Sequence, residues 1–136
     1  MYKCKHHKIQ ELVPKDIYNR FGESSWQFLN PQMLITLDQL WEKFGTMYLN
    51  NWLWGGSQQQ QVFRTSKSNS YSPTSQHALG CASDASFKYY TAQQVRDYVF
   101  SNPEEFHYIT CIEMNVNWFH FDVRNCNRIK KVYPKK

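Results

Sequence analysis

The 136-residue chain is long enough for one domain with a real core, and nine Phe, nine Tyr and five Trp supply large side chains for it. Its net charge of +5 comes from the end of the chain: Arg128, Lys130, Lys131, Lys135 and Lys136 carry five positives, so the rest balances at eleven against eleven. A neutral body lacks the basic face of a nucleic-acid-binding fold, and no apolar run approaches membrane-spanning length.

In chain order, Met1-Tyr2-Lys3-Cys4-Lys5-His6-His7 is basic and polar with no apolar segment behind it. Synthesis in a cytoplasm without a secretory signal is therefore expected. Pro14 opens a short helix through Ile17, Tyr18 and Phe21, stopped by Gly22. Asn30-Pro31 opens the clearest helix, with Leu34, Leu37, Leu40, Trp41 and Phe44 on one stripe and Gly45 at its end. Thr46 to Trp54 reads as a strand, and the glutamine run Gln58 to Gln61 as a solvated loop. Ser66 to Ser75, with five Ser and no aliphatic residue, is a long loop, a type that in compact domains tends to be functional or disordered.

Ala82 to Phe87 is then extended, and Thr91 with Gln94 forms a capping box that opens a helix closing before Pro103. Ile109 to Met114 and Trp118 to Val123 form a hairpin, with Phe119, Phe121 and Val123 on one face and Trp118, His120 and Asp122 on the other. Together these elements make an α+β domain, a small antiparallel sheet flanked by helices. It spans residues 12–126, between a basic N-terminal segment at 1–11 and a basic C-terminal tail at 127–136. Cys4, Cys81, Cys111 and Cys126 are too widely spaced for a C-x-x-C motif and read as reduced thiols.

The chemistry gathers around Ser75-Gln76-His77-Ala78-Leu79-Gly80-Cys81-Ala82-Ser83-Asp84. A neutral imidazole and a carboxylate are ligand types that a catalytic zinc ion accepts. His77 and Asp84 are too far apart for one helical turn, so the chain must come in, pivot at Gly80 and leave as an extended segment. Ser-x-His-x-x-Gly-x-Ala-x-Asp, followed downstream by Trp-x-His-x-Asp at Trp118, His120 and Asp122, resembles the signature of the zinc D-Ala-D-Ala carboxypeptidase family. That family also includes dipeptidases and the peptidoglycan endopeptidases of bacteriophages.

The resemblance implies an α+β zinc peptidase domain holding one Zn2+ on His77, Asp84 and His120, with bacterial peptidoglycan as partner. It implies a substrate-binding or oxyanion role for Arg64. Ser75 belongs to the matched motif, Asp122 would orient a ligand imidazole, and Trp118 and Tyr71 would wall the groove. Many members carry an acid three residues before the second His, and this chain has Asn117 there. Glu113 is the preferred general base, with His107 and Asp122 as fallbacks. Its access depends on hairpin register, because a three-residue loop at Asn115 to Asn117 turns Glu113 away from His120, whereas a two- or four-residue loop does not.

The expected function is zinc-dependent hydrolysis of a peptide bond in peptidoglycan stem peptides or cross-links, as in a phage endolysin or a virion-associated murein hydrolase. The alternative is a non-catalytic zinc-containing structural or wall-binding module of the same fold. A monomer acting on the bacterial cell wall, with no nucleic-acid partner and no membrane insertion, completes the expectation.

Overall fold

Asn30 accepts hydrogen bonds from the backbone N–H groups of Gln32 (2.8 Å) and Met33 (3.4 Å), and Pro31 takes the first helical position. Helix α2 (Pro31–Phe44) therefore starts where the sequence expects it. It buries Met33, Leu34, Leu37, Leu40 and Phe44, and Gly45 ends it. The computed structural model describes residues 1–134. Helix α1 (Lys15–Phe21) follows Pro14 and stops at Gly22. Helix α3 (Ala92–Ser101) opens on the Thr91–Gln94 box: the Thr91 hydroxyl accepts from the Gln94 N–H at 3.1 Å, and the Gln94 side chain accepts from the Thr91 N–H at 2.8 Å.

Five strands form one sheet: β1 (Met47–Tyr48), β2 (Ala82–Phe87), β3 (Cys111–Glu113), β4 (Phe119–Asp122) and β5 (Lys130–Val132), in the spatial order β1-β2-β4-β3-β5. All pairs are antiparallel except β5, which runs parallel to β3. The domain is α+β as expected, but its sheet is mixed. Alternation sorts the sheet residues: Ala85, Phe87, Ile112, Phe119 and Phe121 enter one core with the α2 and α3 side chains, leaving Asp84, Ser86 and His120 on the opposite face.

Three further expectations change. The strand expected over Thr46 to Trp54 shrinks to two residues, because the buried Asn50 turns the chain away. Its side chain donates to the Val13 carbonyl (3.2 Å) and accepts from the Gln61 N–H (2.9 Å), and Trp52–Trp54 becomes a 3-10 turn. Nor is the basic C-terminal segment merely a solvated tail. Lys130 N–H donates to the Thr110 carbonyl (2.8 Å) and Met114 N–H to the Val132 carbonyl (2.7 Å), so the backbone pairs while Lys130 and Lys131 remain exposed. Lys135 and Lys136 lie outside the described residues. The N-terminal segment is likewise tied down: Asp38 accepts from the Tyr2 hydroxyl at 2.5 Å and from the backbone N–H groups of Lys5 and His6. Charge composition reports how side chains are solvated and leaves backbone pairing open. Among the described residues no helix is long and apolar enough to cross a membrane.

Candidate metal centre

Backbone bonds shape the approach to the site. The Ser75 hydroxyl accepts from the Ala78 N–H at 3.1 Å, and the Cys81 N–H donates to the Gln76 carbonyl at 2.8 Å, closing a tight loop around His77. Gly80 adopts φ +73°, and a Cβ there would stand 1.9 Å from the Phe28 carbonyl oxygen. Only glycine meets both demands, so the expected pivot is also a close-packing point. Beyond it, the β2–β4 register sets Asp84 directly opposite His120 and Ala82 opposite Asp122.

His77, Asp84 and His120 offer ligand atoms that all lie within 4.8 Å of one another, and this group could hold a metal ion. His77 Nδ1 lies 2.8 Å from the Val62 carbonyl, so it carries the proton and donates, leaving Nε2 to face Asp84 Oδ1 at 3.3 Å. His120 is held the other way round: Nε2 is 2.9 Å from Asp122 Oδ2, and Nδ1 is 2.8 Å from Asp84 Oδ1. Each imidazole is oriented through one nitrogen and offers the other, the usual support for metal-ligating histidines. Atoms bonded to a tetrahedral zinc stand about 3.4 Å apart, close to the 3.3 Å between His77 Nε2 and Asp84 Oδ1.

The site is dominated by paired charge. Burial alone would raise the Asp84 carboxyl, but the His120 and His77 rings against it outweigh burial and hold the group well below the usual carboxylate range. Burial would likewise raise Asp122, but bonds from Arg124 and His120 bring it down to about 2. Arg124 grips Asp122 through Nε and Nη2, both at 2.7 Å. Burial opposes the charged form of His120, yet Asp122 and Asp84 together raise its pKa to about 9. Arg64 donates from Nη2 to Asp84 Oδ2 at 3.2 Å and from Nε to the Gln60 carbonyl at 3.1 Å. It therefore braces the carboxylate oxygen that does not face the histidines.

A cleft of about 740 Å3 opens over this group, and Arg64, Ser75, Glu113, Trp118 and Arg124 line it. The hairpin register pairs Cys111 with Asp122 and Ile112 with Phe121, so Glu113 comes opposite His120 on the open face. Asn115 makes this turn possible with φ +61°, a conformation that asparagine tolerates. The structure thus gathers Glu113 with the three ligand-type residues. Tyr71 and His107 do not line the cleft, and Asn117 faces a separate pocket beside Thr91 and Arg96.

Several contributors escape a reading of the sequence. Arg124 continues the two-residue alternation of His120 and Asp122, which could have marked it. The glutamine run supports the site through its backbone, the Gln61 carbonyl accepting from the Asp84 N–H at 2.8 Å. Arg96, 3 % exposed, donates to the Val116 and Trp118 carbonyls, both at 2.9 Å, and so fixes the hairpin turn. Nothing in its local sequence announces that. Cys81 Sγ points to the Leu79 carbonyl at 3.5 Å and is not part of the ligand group. In comparisons with known proteins, no family model, no curated protein and no solved structure matches the chain.

Proposed function

We propose that this protein is a zinc-dependent peptidase that hydrolyses a peptide bond in the stem peptides or cross-links of bacterial peptidoglycan. One observation carries the reading: two imidazoles, each oriented by an acceptor on its second nitrogen, meet one carboxylate in a cleft that also holds a glutamate. Two nitrogens and one oxygen suit zinc and leave a position for water, the arrangement of catalytic rather than structural sites. When bound there, zinc lowers the pKa of a water and polarises a carbonyl.

Glu113 takes a proton from the attacking water and passes it to the leaving amine. Arg64 holds Asp84 in place and adds fixed positive charge where the carbonyl oxygen becomes negative. Asp122, itself gripped by Arg124, keeps His120 Nδ1 turned toward the centre. Trp118 walls the cleft.

The test is release of new amino groups from purified peptidoglycan by the protein loaded with one equivalent of zinc. Hydrolysis should stop on chelation, return with zinc, and be lost together with zinc binding in His77→Ala and Asp84→Ala. Undiminished hydrolysis by those variants would refute the proposal. A second reading, a zinc-holding wall module without turnover, is favoured by Asn117, which stands where the resembled family often carries an acid. It requires full zinc occupancy and intact peptidoglycan.

A further inference from the structure

The open face of the sheet carries a second row beside the ligand group. Tyr48 on β1 pairs with Ser86 on β2, and one step beyond the Ala85–Phe119 pair brings Ser86 beside Trp118. By alternation all three residues share the face of Asp84 and His120. Tyr48 is 49 % and Trp118 42 % exposed, large areas for aromatic rings, and the small Ser86 between them is exposed as well. Two strand spacings set the Tyr48 and Trp118 backbones about 10 Å apart, with the small Ser86 between them. A cavity of about 190 Å3 occupies this position, and Gln58, Gln61 and Asp84 also line it.

We propose that this slot binds an N-acetylated pyranose, a sugar of the glycan strand. Such a ring has apolar faces to lay against Tyr48 and Trp118, and hydroxyl and acetamido groups on its edges. Ser86, Gln58 and Gln61 supply hydroxyl and carboxamide groups that both donate and accept. A purely apolar guest would leave those groups without partners.

The slot also fixes direction, a step that rests on the peptidase reading above. Ser86 lies two residues along β2 from Asp84, about 7 Å, which the lactyl link of a muramic sugar and one extended residue cover together. A stem peptide leaving a sugar in the slot therefore brings the bond between its first and second residues to the ligand group. A bond at the far end of the stem overshoots.

The experiment has two arms. In the first, tri-N-acetylchitotriose is titrated into the full zinc-loaded chain while tryptophan fluorescence is followed. Saturable binding is expected, weakened about tenfold or more by Tyr48→Ala and by Ser86→Leu, which fills the gap, and retained by Tyr48→Phe. No saturable binding, or binding that ignores Tyr48→Ala and Ser86→Leu, overturns the slot. In the second arm, a sugar-linked stem peptide is compared with the same peptide freed of its sugar. The linked form should be cut between residues one and two with about tenfold higher kcat/KM. Equal rates overturn the directional claim. If neither peptide is cut, the peptidase reading has failed, and the titration alone decides the sugar site.

Discussion

His77 and His120 each turn one nitrogen toward Asp84 because the Val62 carbonyl and the Asp122 carboxylate occupy the other one. This division makes residue-level predictions sharp. Asp122→Asn keeps the shape beside His120 but removes the charge, and should weaken zinc affinity about 10- to 100-fold in competition with a chromophoric chelator. Unchanged affinity would leave Asp122 as mere packing. Glu113→Gln should leave zinc stoichiometry intact while hydrolysis falls about 10²- to 10⁴-fold, a separation that no ligand variant can produce. The three ligand-type residues were legible because each carries a chemically distinctive side chain within a short motif. The grip of Arg64 on Asp84 was not, since sequence order gives no bond directions, and Tyr71 shows how an aromatic near a motif can face elsewhere.

At the level of elements, the centre is a product of register. The β2–β4 pairing alone puts Asp84 across from His120, and the β3–β4 turn, tied by Arg96 to the Val116 and Trp118 carbonyls, puts Glu113 on the same face. Gly80 governs the entry to β2, with positive φ and the Phe28 carbonyl against its Cα. Gly80→Ala should therefore destabilise the fold by at least about 2 kcal/mol in urea denaturation, combining left-handed strain with a backbone clash. A cost near zero would mean that the loop relaxes freely. Helices α2 and α3 could be read from their caps and stripes because those signals are local. The shortening of β1 depends on Asn50 meeting Val13 and Gln61, partners far away in sequence. The hairpin loop length is hidden from the sequence for a similar reason: the turn at Asn115 is held by contacts from α3.

Across the whole molecule, the sheet divides labour. Its inner face joins the helices in one aromatic and aliphatic core, and its outer face is free to carry charge, cleft and slot. Length and the succession of elements anticipated a one-domain α+β body, but the charge pattern placed both ends of the chain outside it. Asp38 gathers the N-terminal segment and β3 gathers Lys130–Val132, whose Val132 also lines the cleft. Long-range backbone pairing of this kind leaves no mark in charge or periodicity. The central claim, that this face hydrolyses peptidoglycan peptides with zinc, is tested most directly by mass spectrometry of defined muropeptides incubated with the zinc-loaded chain. Paired fragments from one stem-peptide bond should form only with zinc and fall about 10²- to 10⁴-fold with Glu113→Gln. Intact muropeptides alongside full zinc occupancy would contradict it.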